Sequence, residues 1–381
     1  MLTPQPVTSR LVSDVATPKN FPIAGPLADR HARLGAKMAE FGGWSMPLSY
    51  AGVVEEHLAT RSAVGIFDVS HLGKAIVTGA GATELVNSCF TNDLDSIAAG
   101  RAQYTLCCDE ETGGVIDDLI VYRGEDDMFV VPNAGNNERV VSMLQAAAPA
   151  GVEVRDRHRA IATIAVQGPR SADVLDALDL PSAMDYMAFE RVSWRDLPVT
   201  VCRTGYTGEH GYELLPPADT AGQLWDALLE TAGPMGGQPC GLGARDTLRT
   251  EMGYPLHGSD LTIAVTPLQA RLGWAVGWSK PAFWGRDVLV REREVGAPRL
   301  LWGLKSEDRG IPRPHMSVRS LDDVDLGEVT SGTFSPSLRV GIGLALLSRS
   351  VNEDDEVRVD IRGKPSTMRV VKPPFVPSSV R

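Results

Sequence analysis

The chain of 381 residues has few of the features that would assign it at a glance. No uninterrupted apolar run reaches membrane-spanning length, so a bilayer-embedded protein is not expected. Five cysteines, at 89, 107, 108, 202 and 240, are too scattered and odd in number for a disulfide framework. Buried reduced thiols and a cytoplasmic protein are the simpler expectation. The seven histidines (31, 57, 71, 158, 210, 257 and 315) show no zinc-ligand spacing, and Cys-x-x-Cys is absent, so no metal is expected. There is no Gly-x-x-x-x-Gly-Lys-Ser/Thr loop and no Gly-x-Ser-x-Gly elbow. Gly79-Ala-Gly81 lacks a third glycine at the spacing that dinucleotide binding needs. Basic residues are in deficit, 37 against 48 acidic, for a net charge of −11. That balance argues against nucleic acid or an anionic membrane as the main partner.

What is present is an ordinary globular composition, 43% hydrophobic and 22% charged, long enough for two or three domains. Residues 1–24 carry no apolar core of an export signal and read as a disordered leader. Helical pattern is expected over 29–40, 53–63, 81–90, 137–148 and 219–232, the last with Asp219 as N-cap. Strands are expected at Gly65–Leu72 and Ile161–Gln167, and Val115–Tyr122 with Met128–Val131 form a hairpin around Gly124-Glu-Asp-Asp127. The irregular alternation indicates α+β rather than a doubly wound sheet. Past residue 290, after a charged helix near 285–295, short alternating strands predict a small antiparallel barrel or sandwich.

Three segments concentrate chemistry. Cys202-Arg-Thr-Gly-Tyr-Thr-Gly-Glu-His-Gly-Tyr-Glu213 combines three glycines, two tyrosines and a carboxylate that opens an apolar run. It suits a planar heterocycle with adjacent N–H donors, or equally a glycine-rich turn with a salt-bridged glutamate. In Gly113-Gly-Val-Ile-Asp-Asp118, neighbouring strand residues face opposite ways, so Asp117 and Asp118 cannot both enter one cavity. One is expected to be solvated or bonded to backbone. The other, pointing inward, could stabilise developing positive charge; capping of the preceding turn is the alternative. In Gly241-Leu-Gly-Ala-Arg-Asp-Thr-Leu-Arg-Thr-Glu-Met-Gly253 a helix puts Arg245 and Arg249 on one face. Arg245 either reaches a pocket as a permanent cation or pairs with Asp246 or Glu251.

Taken together, Phe67-Asp-Val-Ser-His71, Gly113–Asp118, Val131-Pro-Asn-Ala134, Val166-Gln-Gly-Pro169, Gly205-Tyr-Thr-Gly-Glu209, Gly243-Ala-Arg-Asp246 and Thr330-Ser-Gly332 resemble, in order, the folate-binding T-protein family of glycine cleavage. The resemblance runs from about Gly25 to Pro377. It implies a three-domain cloverleaf around a central folate channel. Two interleaved α+β parts are expected, roughly 25–55 plus 140–225 and 56–139 plus 226–285, followed by a β-barrel-like domain over 290–381. It implies an aminomethyltransferase with a lipoylated H-protein as partner and tetrahydrofolate as co-substrate. By the same resemblance Glu213 and Tyr206 hold the pterin, with Asn133, Val131 and Tyr104 beside it and Arg245 near the folate. Asp118 would lie near folate N5 as the catalytic carboxylate. The chain departs from the family at His257, where tyrosine is frequent, and at Gln269 and Arg271. A contact to the folate glutamyl tail is not carried over, Arg381 being a candidate. A flavin-linked or demethylating relative is the runner-up. A non-catalytic folate-binding relative is disfavoured because its Lys-Gly-Cys-Tyr-x-Gly-Gln-Glu motif is missing.

Overall fold

The computed structural model describes residues 22–380 except residue 362. Most of the expected leader, and Arg381, lie outside the described residues. The fold is mixed α+β. Ile23–Ala24 pairs in parallel with Trp44–Ser49, which also pairs antiparallel with Lys37–Phe41 to make a small three-stranded sheet. A six-stranded sheet has the order Phe189–Trp194, Leu197–Cys202, Gly211–Leu215, Ile164–Gln167, Gly65–Asp68, Gln238–Cys240. A five-stranded antiparallel sheet has the order Arg101–Cys108, Val115–Arg123, Asp127–Val131, Ala75–Thr78, Glu153–Asp156.

The C-terminal strands close into a six-stranded barrel running from Arg299–Ser306 to Lys364–Val371. Its strands alternate as a barrel wall must. Val357 and Val359, and Met368 and Val370, point into a core shared with Trp302, Leu304 and Val329. Closure leaves no free edge to pair with another chain.

The strand expected at Gly65–Leu72 ends at Asp68, where the chain turns into a loop, that expected at Ile161–Gln167 begins at Ile164, and two helical expectations also need correction. The helix expected over 29–40 is only Ala28–Arg33, because Gly35 takes φ +69° and the chain then extends as Lys37–Phe41. The helix Ala221–Ala232 follows Thr220, not Asp219, and Thr220 makes no side-chain cap. The helices Val53–Ser62, Ala82–Cys89, Asn137–Ala147 and Arg286–Val295 match their sequence patterns closely. All five cysteines are free and buried.

The five-stranded sheet decides where a site can form. One of its faces packs on the helices Ala82–Cys89 and Asn137–Ala147 through Leu119, Val121, Leu85 and Val140. The opposite face is covered twice. At one end Leu106, Cys108 and Val115 pack against Leu261, Val265 and Phe283. At the other, Ala102, Tyr122 and Phe129 pack against Phe189, Cys202 and Leu215 of the six-stranded sheet. Between these two apolar seals, Tyr104, Asp118, Ile120 and Val131 remain only partly buried.

Candidate functional site

The gap between the seals is lined by polar side chains held in fixed positions. Asp118 faces it from the strand Val115–Arg123. Tyr104 pairs with Ile120 in the neighbouring strand, so it lies diagonal to Asp118, and its hydroxyl donates to Asp118 Oδ2 at 3.1 Å. Asn133, just beyond the strand that ends at Val131, donates from Nδ2 to Asp118 Oδ1 at 3.0 Å and to the Asp118 carbonyl at 2.9 Å. Val131 pairs with Ile120 on the same face.

Asp117 points the other way, as alternation requires, and is fully buried. It accepts from the Asn133 backbone N–H at 3.0 Å and from the side-chain amides of Asn133 at 2.8 Å and Asn136 at 2.7 Å. The expectation of one inward and one backbone-bonded carboxylate therefore matches the geometry, while the turn-capping alternative does not. Asn133 bridges both acids. Burial, then the neighbouring charge of Asp118, pushes Asp117 up to about 8, and burial raises Asp118 as well. Two carboxyls this close share their titration, and the pair retains a proton near neutral pH.

The segment 203–210 forms the facing wall, and its glycines answer to close approaches. A Cβ on Gly205 would lie 2.1 Å from Gln167 Oε1, and one on Gly211 would lie 2.4 Å from Gln167 Nε2. The buried Gln167 amide uses that space to donate to the carbonyls of Thr204 and Tyr212 and to accept from Thr207 at 2.8 Å. Tyr206 is thereby projected into the gap, where its hydroxyl donates to the Pro255 carbonyl. The Arg245 guanidinium lies 4.7 Å from the Tyr206 ring centroid. Burial raises the Tyr206 phenol, and the charges of Asp118 and Arg245 both act on it, which puts these three groups in one electrostatic neighbourhood.

Glu213 sits on the central strand Gly211–Leu215 and is 8% exposed. Thr204 donates to its Oε2 at 2.6 Å and bonds the Tyr122 hydroxyl at 3.2 Å. Tyr122 lies four residues from Asp118 on the same strand face, about 13 Å along the strand. Glu213 and Asp118 thus stand at two ends of one gap rather than in contact. No ion pair involves Glu213 among the described residues, so the salt-bridged reading of this glutamate is not what forms. Nor does Arg245 take its local alternative. Arg249 pairs with Asp246 and with the buried Asp260, while Arg61 and His57 pair with Glu251. Arg245 makes no ion pair among the described residues and stays available to the gap.

The departures from the family pattern divide. His257 enters the aspartate network: Asn136 Nδ2 lies 3.0 Å from its Nδ1, and its Nε2 lies 3.3 Å from the Val115 carbonyl. An accepting Nδ1 and a donating Nε2–H satisfy both contacts. Arg271 instead meets the barrel, donating to the Leu301 carbonyl at 2.8 Å and lying over Trp302, and the Gln269 carbonyl accepts from the Leu301 N–H. Sequence reasoning missed Asn136, Thr204 and Trp274. Trp274 stacks on Tyr104 at 5.4 Å and is 67% exposed at the rim of the gap. A tryptophan flanked by Gly273 was its available signal. Two other cavities have volumes of about 460 and 130 Å³, the smaller set into the second seal against Tyr122, Phe129, Phe189 and Leu215. The larger is an open groove by Glu110 and Trp284, and the smaller lies under the Arg191–Asp127 pair. The larger has charged groups, Asp109, Glu110, Glu111 and Arg139, and the smaller Asp127 and Arg191, but neither is lined by Asp118, Glu213, Tyr206 or Arg245.

Two family models match the chain in tandem: the GCVT N-terminal domain over residues 27–280 and the glycine cleavage T-protein C-terminal barrel domain over 299–377. The chain belongs to the glycine cleavage T-protein family. It is 63% identical over 359 residues to an aminomethyltransferase of Parafrankia sp. (strain EAN1pec), covering 93% of this chain and 98% of that one. Against the aminomethyltransferase of Mycobacterium tuberculosis (strain H37Rv) identity is 59% over 362 residues, covering 94% and 98%. The crystal structure of the glycine cleavage system aminomethyltransferase T from Bartonella henselae superposes with a TM-score of 0.88 at 33% identity, covering 93% of this chain and 98% of that one. The T-protein fold, barrel included, thus accounts for nearly the whole described chain.

Proposed function

We propose that this T-protein is a tetrahydrofolate-dependent aminomethyltransferase of glycine cleavage. It accepts the S–CH2–NH2 group on the lipoyl arm of an H-protein and transfers the methylene to tetrahydrofolate. The carrier thiol regains a proton, ammonia leaves, and the carbon bridges N5 and N10 of the folate as 5,10-methylenetetrahydrofolate. The observation that carries the reading is the gap between two apolar seals with a carboxylate at each end. Glu213, fixed by Thr204, offers acceptor oxygens to the 2-amino and N3–H donors of a pterin. Tyr206, under Arg245, supplies a flat wall, and Arg245 supplies positive charge toward the anionic part of the folate. Asn133, Val131 and Tyr104 line the other side.

Asp118 faces the one-carbon unit. An amine carbon losing ammonia becomes cationic, and a carboxylate prearranged by Tyr104 and Asn133 stabilises that charge without reorganising. The seals restrict water, which would otherwise compete for the methylene. The chain division that fits is two interleaved α+β parts and a barrel, with the site between the first two, in a cytoplasmic enzyme without a resident metal.

The test is an assay with aminomethyl-loaded H-protein and tetrahydrofolate, scoring ammonia and methylenetetrahydrofolate together. Stoichiometric appearance of both is expected. Absent turnover beside rapid demethylation of a small methylated amine would move the chain to the demethylating branch.

A further inference from the structure

We propose that His71 is a binding residue for the amine of the incoming aminomethyl group, and that the loop Ser70–Gly73 is built to present its imidazole unpartnered. This rests on the aminomethyltransferase reading and adds to it a contact for the carrier-bound amine, separate from the folate contacts.

The loop is locked from every side except the imidazole. The Ser70 and Leu72 carbonyls both accept from Lys74 Nζ, at 2.8 and 2.7 Å. Between them, the His71 carbonyl accepts from His158 Nε2 at 2.8 Å. Three successive carbonyls are thus taken by side-chain nitrogens, one of them Nζ of a fully buried lysine. The Ser70 N–H reaches Asp68 Oδ1 at 2.9 Å, and the Ser70 hydroxyl accepts from the Thr163 N–H at 3.1 Å. Leu72 N–H closes the turn onto Val69, and Gly73 N–H bonds the Pro132 carbonyl at 2.7 Å. Asp68 is itself held by His31, whose Nε2 lies 2.8 Å from Asp68 Oδ2. Such investment in one short loop fixes the direction of whatever it carries.

What it carries has no partner. His71 is 3% exposed, its Nδ1 is buried without a hydrogen bond, and Nε2 makes none among the described residues. An unmet buried nitrogen is costly and calls for an explanation. Its position supplies one. Gly73 is tied to Pro132, adjacent to the Asn133 that holds Asp118. On the other side the imidazole meets the edge of Phe41, 5.3 Å between centroids, and Phe41 is 39% exposed. The turn after Phe41 covers the same segment, since a Cβ on Gly42 would lie 2.8 Å from the Ala134 side chain. His71 therefore stands between a solvent-facing aromatic and the loop tied to the Pro132–Asn133 segment, within reach of the Arg245 charge that also serves the gap.

The chemistry selects an N–H donor. Burial, then the charge of Arg245, pushes His71 down to about 3, so the ring is neutral at working pH and offers a bare acceptor nitrogen. Lys74 and His158 push the same way and Asp68 opposes them. A neutral imidazole beside the Arg245 cation accepts from an amine at its bare nitrogen, and its remaining N–H is too weak an acid to protonate the leaving group. It would orient the C–N bond for departure while Asp118 meets the carbon.

The experiment compares parent enzyme with His71→Phe, which keeps the ring beside Phe41 but removes both nitrogens, and His71→Gln, which restores an acceptor. Three quantities are read: kcat/KM for loaded H-protein, the tetrahydrofolate Kd, and the ratio of affinities for aminomethyl-loaded and unloaded H-protein. For His71→Phe, about a tenfold loss in kcat/KM is expected with the folate Kd within twofold, and the preference for loaded carrier should disappear. His71→Gln should recover part of both. Should His71→Phe fail to fold, His71→Leu, which also removes both nitrogens, takes its place with the same expected outcome. Retained discrimination in the variant that lacks both nitrogens, or a folate Kd that weakens in step with kcat/KM, overturns the assignment. If the parent itself does not turn over loaded H-protein, it is the aminomethyltransferase reading that fails.

Discussion

Replacing Asp118 by Asn isolates charge from shape. The amide oxygen can still accept from Asn133, and the Tyr104 hydroxyl can turn from donor to acceptor, so the wall of the gap should keep its form. What disappears is a negative charge facing a carbon that becomes cationic. A carboxylate about 4 Å from a unit charge, at an effective dielectric near 20, is worth about 4 kcal/mol. That corresponds to about a thousandfold in rate. Asp118 is only partly buried, and partial solvation brings the expected loss to between about a hundredfold and a thousandfold in kcat. The tetrahydrofolate Kd should change less than about threefold, since the pterin-gripping carboxylate stands at the far end of the gap. Rapid-quench single turnovers measure the first quantity. Quenching of tryptophan fluorescence, to which Trp274 at the rim contributes, measures the second. A rate loss below tenfold, or a loss fully explained by weaker folate binding, refutes the role given to Asp118.

Three other outcomes follow from the same geometry. Glu213→Ala should weaken tetrahydrofolate binding by about a hundredfold, the cost of two charge-assisted hydrogen bonds, with single-turnover rates at saturation nearly retained; equilibrium titration checks it. Turnover should rise with pH and level off above about 8 as the aspartate pair loses its shared proton. Because a carboxyl raised above its unfolded value of 3.8 holds a proton that the unfolded chain releases, the pair costs stability as pH climbs from about 4 to about 8. Asp117→Asn should therefore shift the kcat profile to lower pH, and urea melts should favour the variant more at pH 8 than at pH 5. Arg249→Met leaves Asp260 buried without its cation and should destabilise the fold by about 3–5 kcal/mol in urea unfolding.

Legibility in the sequence followed the range of the forces involved. The barrel strands and most helices could be read because binary alternation and helical periodicity are local and each face is buried by its own element. Asp117 and Asp118 were separable for the same reason: pleating alone sends them to opposite faces. Boundaries slipped where one glycine outweighed a weak helical pattern, as at Gly35. The partners of the site were less accessible. Nothing in the spacing of Thr204 and Tyr122 foretells that the one holds Glu213 and the other holds that threonine, and the bridge that Asn133 builds across two aspartates depends on the register of two strands. Arg245 and Arg249 are chemically identical in sequence, yet one is consumed by Asp260 and Ser331 while its neighbour a turn earlier is left to the gap.

The helix Leu242–Met252 offers Arg245 to the gap with one face and fastens itself to the barrel with another, through Arg249 to Ser331 and Glu251 to Ser335 and Ser337. The barrel is consequently no detachable module. Grafting a foreign barrel onto this N-terminal region would tilt the helix unless those serines came with it, and the guanidinium over Tyr206 would drift. Recombination between relatives should therefore succeed at cut points that keep these serines and this helix from the same parent.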